Sequence, residues 1–411
     1  MPTATLLRDG AADQDRAGAA AGASGESAAA AAASGLPHIC FVSPYIWPVF
    51  SRDPHIKLVG GAEVQQSTLA RLFRRHGYRV SIVCQDFGQP QAVEIDGVTV
   101  YKTFKEDAGI PVLRFLHPRL TAVWRTLRAV DADIYYQRST SMLTGVVAEF
   151  CRRYGKRSIY AGASDTDFVP GQELIRFRRD KWLFQRGLAR VDRVVVQNAV
   201  QQRDCLKHYG REAVLIPSCY ELAENSSAGS GDIVLWVARL HTSKRPELLL
   251  EIARRLPHRR FVMIGGAAAA SENLDGYFQR MREAAAALPN VEFKGFLPLA
   301  QVEPWFDRAR VFVNTSAFEG MPNTFMQAWA RGVPTVATVD VGARLGDEPV
   351  NRFVVDAEDA AIEIERLLGD ELHWARASAL CRRHFRGTHS TTEVLGRYAR
   401  IFEELHPGPG A

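Results

Sequence analysis

Twice along the chain, apolar runs of strand length alternate with stretches of helical periodicity, and a polar, small-residue interval separates the two series. In the first series HICFVSP, RVSIVCQ, DIYYQ, RSIYAGAS, RVVVQN and AVLIPS read as strands. Helices are expected over 62–76, 113–129, 140–154, 172–190 and 198–209, and VEIDGVTVYK reads as a hairpin turning at Asp96-Gly97. In the second series DIVLWVARL, RFVMIGG, VEFKGF, RVFVNTS, PTVATV and RFVVD read as strands. Helices are expected near 245–256, 275–288, 300–308 and 320–331, and the remainder to Leu405 reads as helical. Strand–helix alternation makes a mainly parallel sheet with helices on both faces. The fold class is therefore α/β, with two doubly wound domains in succession.

The interval 219–231 (CYELAENSSAGSG) is the expected linker. It divides the chain into an Ala/Gly/Ser-rich leader (1–36), a first domain (37–218), a second domain (232–390) and a C-terminal helix and tail (391–411). The 411 residues suit two domains, and 46% apolar with 24% charged residues is a globular composition. No run reaches the ~20 apolar residues that span a bilayer. A net charge of +5 is small for this size and indicates no dedicated nucleic-acid binder. The six cysteines (Cys40, Cys84, Cys151, Cys205, Cys219, Cys381) have neither zinc-ligand nor disulfide-framework spacing. They read as small buried hydrophobes in a reducing, cytoplasmic protein.

In doubly wound folds ligands bind beyond the carboxyl ends of the strands, here in a cleft between domains. Three constellations fall in such loops. Gly60-Gly61-Ala62-Glu63 opens the first long helix, where free amides suit a phosphate or developing anion. Arg239 and Lys244 follow the first strand of the second domain, where two cations could clamp a leaving diphosphate. In SAFEGMPNTFMQAWARGVPTV, Glu319-Gly320 turn the chain and Pro322 suits a helix start. That places Glu319 beside the amides of Gly320, Met321 and Asn323, and Glu is a poor N-cap. A ligand role, gripping sugar hydroxyls, is the expectation. His55 and His241 lie in cleft loops, with a structural role the simpler reading for each.

With these segments in order, residues 38 to 405 resemble the GT-B retaining glycosyltransferases of family 4. The resemblance rests on GGAE, VVVQNAVQQRDCLKHYG with VLIPS, VARLHTSKRPELLLEIARRLP, FVMIGG, VEFKGFLP and STSAFEGMPNTFMQAWARGVPTV. It implies two Rossmann-like domains, a nucleotide-diphosphate sugar donor held mainly by the second and an acceptor held mainly by the first. It implies that Arg239 and Lys244 hold the diphosphate, Glu319 contacts the donor sugar, and the amides of Gly320, Met321, Pro322-Asn323 and Thr324 line the sugar and phosphate. It places Gly60 and Gly61 near the donor phosphate and acceptor, and Gly265 beside the nucleotide. The implied reaction is a front-face displacement in which the leaving diphosphate helps deprotonate the incoming hydroxyl.

Two positions depart from the pattern. Gln327 replaces the second glutamate of E-x7-E, losing the strength of a charged acceptor at the donor ribose. Ser164, Asp165, Thr166 and Asp167 stand where many relatives place a histidine. Asp165-Thr166-Asp167 also spells the metal–diphosphate DxD motif of a different transferase fold, but such aspartates commonly serve as turn or cap residues. With Arg239 and Lys244 supplying positive charge, no metal or other cofactor is required. The stretches 114–128 and 174–193 interleave aromatics with a surplus of arginine, as an interfacial helix would, and mark where a membrane would meet the protein. The expected partners are thus a nucleotide-sugar donor and a carbohydrate or lipid-linked acceptor, at the cytoplasmic membrane face and in cell-surface polysaccharide or glycoconjugate synthesis. The alternatives are a non-catalytic nucleotide-sugar binder and a nucleotide-sugar epimerase.

Overall fold

A computed structural model describes residues 35–52, 60–110, 113–222, 231–267 and 276–407. His55, most of the leader and most of the linker lie outside them. The first sheet contains β1 (His38–Val42), β2 (Arg79–Cys84), β3 (Ala92–Ile95), β4 (Val98–Lys102), β5 (Ile134–Arg138), β6 (Arg157–Ala161), β7 (Arg193–Val196) and β8 (Val214–Leu215). Its order is β3-β4-β2-β1-β5-β6-β7-β8. All pairings are parallel except the β3–β4 hairpin. That hairpin turns at Asp96 and Gly97, both at positive φ, as a tight two-residue turn demands.

The second sheet contains β9 (Ile233–Val237), β10 (Arg260–Ile264), β11 (Val291–Gly295), β12 (Ala309–Asn314) and β13 (Thr335–Ala337). A small antiparallel pair, β14 (Arg344–Leu345) and β15 (Glu348–Pro349), precedes β16 (Arg352–Phe353). The order is β11-β10-β9-β12-β13-β16, all parallel. Two doubly wound α/β domains are therefore present. Their switch points, where the winding reverses, lie between β1 and β5 and between β9 and β12.

Two expected helices are shorter than the pattern suggests. In 113–129 the α-helix proper is Thr121–Val130, because Pro118 cannot donate within a helix and pushes His117 to extended angles (φ −135°, ψ 125°). In 172–190 the helix begins at Arg178. Residues 171–177 instead wrap the buried Glu173 carboxylate, which accepts from the Gly171 amide (2.7 Å), Gln185 Nε2 (2.7 Å) and Tyr209 Oη (3.2 Å) and pairs with Lys181 Nζ (2.7 Å).

The helix Thr391–Leu405 returns to the first domain. Val394, Tyr398, Ile401, Phe402 and Leu405 are buried with Phe41, Phe73 and Tyr136 in one cluster. Tyr398 Oη lies 3.1 Å from Tyr136 Oη, and Arg193 Nη2 pairs with Glu404 at 3.0 Å. The outgoing and returning crossings are tied together, since His389 Nδ1 lies 2.7 Å from the Ser218 carbonyl and the Tyr220 amide donates to the His389 carbonyl at 3.1 Å. All six cysteines are buried free thiols. No helix among the described residues is long and apolar enough to cross a membrane.

Candidate active site

Lys244 follows β9 and Glu319 follows β12, so the second domain's switch point lies between them. Lys244 Nζ is 2.5 Å from Glu319 Oε1, and Ser316 Oγ donates to the same oxygen at 2.6 Å. The helix after this loop starts at Asn323, with Pro322 at its N-cap (φ −65°), later than expected. Glu319 is thus too far upstream to sit in the first helical turn, and its carboxylate turns to Lys244.

Arg245 builds this juxtaposition. It takes left-handed angles (φ 45°) before Pro246, and its guanidinium donates to the Thr315 carbonyl (2.7 Å), the Ser316 carbonyl (3.1 Å) and Thr338 Oγ1 (2.6 Å). Thr315 Oγ1 returns a bond to the Lys244 carbonyl (2.6 Å) and accepts from the buried Trp236 Nε1 (2.9 Å). The loops after β9 and β12 are thereby stapled, and a loose Lys–Glu pair becomes a positioned one. Arg239 is exposed in the same loop as Lys244. His241 Nδ1 accepts from the Ser243 amide (3.1 Å) and lies 2.7 Å from Ser243 Oγ, so it caps the turn Thr242–Lys244, as its simpler reading expected.

Gly60 is the N-cap of the helix Gly61–Arg75. The Glu63 carboxylate bends back over this helix start, so close that a Cβ on Gly60 would collide with it. Burial pushes the Glu63 carboxyl above its usual range, opposed by its own amide, Arg138 and Arg239. Glu63 therefore feels a cation of each domain. Across the cleft, Asn323 Nδ2 donates to the Gly61 carbonyl (3.3 Å) and Asn323 Oδ1 accepts from Gln65 Nε2 (2.8 Å). Gln65 also exchanges two bonds with the Cys219 backbone at 2.8 and 3.0 Å. Gly320 faces the loop after β6, where a Cβ would stand 3.4 Å from the Ala163 carbonyl oxygen. Asn323 thus meets Gly61, and Gly320 meets the loop after β6, so the segment that carries Glu319 faces the first domain at two points.

Gly265 follows β10, and a Cβ there would meet the Ala238 carbonyl at 1.9 Å, so backbone packing alone requires glycine. Met321 packs against the core of the second domain, and Thr324 is half-buried in the first turn after Pro322. Gln327 is 5% exposed and donates to Glu303 Oε1 at 2.8 Å. Glu303 Oε2 in turn accepts from Arg331 Nη2 (2.8 Å) and Tyr220 Oη (2.5 Å), so Gln327 belongs to a buried polar cluster.

Asp165 and Asp167 are both engaged by the protein. Asp167 Oδ2 accepts from the Ala163 amide (2.7 Å), the Ser164 amide (3.3 Å) and Tyr160 Oη (3.1 Å), and burial raises its carboxyl to about 6. Asp165 Oδ1 accepts from Asn198 Nδ2 (3.0 Å) and Gln201 Nε2 (2.9 Å). The cap reading describes Asp167; Asp165 instead joins the loop to the start of the helix Ala199–Tyr209 through two side chains.

Sequence reasoning misses Arg138, Gln65 and Arg245. Arg138 closes the strand IYYQR at the first domain's switch point, and that position was the available signal. Arg245 was readable only as a helix-start neighbour of Pro246.

Residues 59–224 match the family model described as Glycosyltransferase Family 4, and residues 231–370 match that of Glycosyl transferases group 1. The chain belongs to the family 4 glycosyltransferases. It is 27% identical over 292 residues to a GDP-mannose-dependent alpha-mannosyltransferase of Mycolicibacterium smegmatis, covering 66% of this chain and 74% of that protein. Its fold is shared with sucrose-phosphate synthase from Thermosynechococcus elongatus (TM-score 0.69, 18% identity, 90% of this chain and 99% of that one). It is shared also with Anabaena Alr3699/HepE in complex with UDP and glucose (TM-score 0.68, 16% identity, 89% and 99%). The two facing domains of this family 4 chain are thus the GT-B arrangement.

Proposed function

We propose that this glycosyltransferase moves a hexose from a nucleoside-diphosphate donor, with retention at the anomeric carbon, to a carbohydrate or lipid-linked acceptor in cell-surface polysaccharide or glycoconjugate synthesis. The observation that carries the reading is the Lys244–Glu319 pair at the second switch point, stapled by Arg245, with Asn323 just beyond it meeting Gly61 across the cleft. Lys244 and Arg239 supply positive charge to the departing diphosphate, and Glu319 faces the sugar. Stabilising a leaving dianion and a sugar cation is electrostatic work that preorganised charges perform well. The reading needs no metal: Asp165 and Asp167 are spent on amides and side-chain donors. The mannosyltransferase relative uses GDP-mannose and HepE was solved with UDP, so the panel of donors must include both bases.

The reading places the first domain against the cytoplasmic face of a membrane. Its two basic stretches meet where Arg179 stacks 3.4 Å from the Phe115 ring centroid. Leu116, Leu174, Phe177 and Trp182 are exposed there among arginines, as interfacial segments require. The testing experiment incubates the protein with UDP-, GDP- and ADP-sugars in EDTA and in Mn²⁺, following nucleotide release and product anomer by NMR. One donor is consumed in EDTA with its anomeric configuration kept. Consumption of none, or only with Mn²⁺, contradicts the reading, and sugar conversion without acceptor favours the epimerase.

A further inference from the structure

Gln65 lies in the first long helix of the first domain, Gly61–Arg75, and is 3% exposed. Every hydrogen and the oxygen of its amide are engaged. Oε1 accepts from the Cys219 amide (3.0 Å), and Nε2 donates both to the Cys219 carbonyl (2.8 Å) and to Asn323 Oδ1 of the second domain (2.8 Å). The paired bonds to one backbone residue fix which end of the side-chain amide is oxygen, so the remaining hydrogen has a single direction, toward Asn323. Asn323 is oriented in turn: with Oδ1 taken, its Nδ2 faces the Gly61 carbonyl (3.3 Å). A line of hydrogen bonds therefore runs from the Cys219 backbone through Gln65 and Asn323 to Gly61, crossing between the domains twice.

Both ends of this line matter to the site. Cys219 stands between Ser218 and Tyr220, whose backbones bond to His389, so it belongs to the tied crossings about which the domains turn. Asn323 begins the helix Asn323–Ala330 and closes the segment that starts at Glu319. Lys244 is set separately, within the second domain, by the Arg245 staple. We propose that Gln65 is a positioning residue for sugar transfer: through Asn323 it holds the Glu319 segment against the first domain, so that the donor sugar faces the acceptor side. Nucleotide affinity is left to the second domain's own loop. The proposal rests on the glycosyltransferase reading.

The test is a double-mutant cycle on the full chain with wild type, Gln65→Met, Asn323→Ala and the double variant. Nucleotide release from UDP-, GDP- and ADP-sugars is measured in EDTA, and affinity for UDP, GDP and ADP by calorimetric titration. Release from the consumed donor should fall about 10- to 100-fold in each single variant, with nucleoside-diphosphate affinity unchanged. In the Asn323→Ala background, Gln65→Met should cost no further release while still lowering Tm, because the Cys219 backbone bonds are lost in both backgrounds. An equal further loss of release in both backgrounds makes Gln65 a brace only and overturns the proposal, as does a fall in affinity that matches the fall in release. Where Gln65→Met does not fold, Gln65→Glu replaces it, keeping an acceptor for the Cys219 amide. Wild-type release in Asn323→Ala overturns the proposal whether or not the Gln65 variants fold. A wild type that binds none of the nucleotides and consumes none of their sugars rejects the glycosyltransferase reading and the proposal together. A wild type that does both, with equal release in folded Gln65→Met, rejects the proposal alone.

Discussion

Lys244→Met and Glu319→Gln should change nucleoside-diphosphate affinity in opposite directions. The two side chains are 23% and 15% exposed and 2.5 Å apart. If Lys244 meets the diphosphate, its loss removes a charge-assisted contact of about 2–3 kcal/mol, which weakens binding ~30- to 150-fold. Glu319 then stands near the same phosphates. A carboxylate ~6 Å from a phosphate charge costs about 3 kcal/mol at an effective dielectric of ~20. Partial exposure and salt cut this to about 1 kcal/mol, so Glu319→Gln should tighten the diphosphate ~5-fold while abolishing sugar transfer. Calorimetric titration of wild type and both variants with the stabilising nucleoside diphosphate reads these signs, and thermal unfolding monitors the fold. A pair that only braces the two loops would lower stability in both variants and shift affinity the same way in both. That result would refute the reasoning.

Three further outcomes follow from the fold. Burial lowers His389 to about 3 and His38 to about 4, so each adds stability that is complete above ~6.5 and lost as pH falls toward those values. Asp167, raised to about 6, has the opposite slope between ~3.8 and 6, because the folded state holds the extra proton there. The net loss between pH 6 and 4 should be about 1.4 kcal/mol per unit; His389→Gln should remove about that slope from urea-unfolding free energies, and an unchanged slope would contradict it. Truncation after Ser390 removes five buried side chains worth about 8–15 kcal/mol, comparable to a whole domain's stability, so the first domain should lose its near-UV signal. A truncated chain with wild-type Tm would be inconsistent with that packing. The protein should sediment with vesicles containing anionic lipid and not with neutral ones, and the Phe177→Ser, Trp182→Ser double variant should stay in the supernatant. Equal sedimentation of both proteins would remove the membrane reading.

The strands and the two-domain plan were legible because apolar runs bounded by Gly, Pro and Ser leave few alternatives. The Lys244 and Glu319 loops were legible because both follow strands that flank a switch point. Other features depend on distant residues that periodicity does not carry. Pro118 breaks an otherwise helical stretch, and Glu173 draws 171–177 off the helix with partners at Gln185 and Tyr209. The C-terminal helix reads as amphipathic, but only Tyr136 and Phe73 show which domain it completes. Arg138 is one arginine in a strand until its burial at the first switch point is seen, and Gln327 becomes a partner of Glu303 only when two helices meet.

The placement of the donor between the two domains is tested most directly by a crystal structure of the complex with whichever of UDP, GDP or ADP stabilises the protein, grown in EDTA. The account predicts the diphosphate within hydrogen-bond distance of Lys244 and Arg239, with its terminal phosphate turned toward Gly60 and Gly61. A nucleotide seated elsewhere, or a diphosphate held by Asp165 and Asp167 through a metal once Mn²⁺ is supplied, would contradict it.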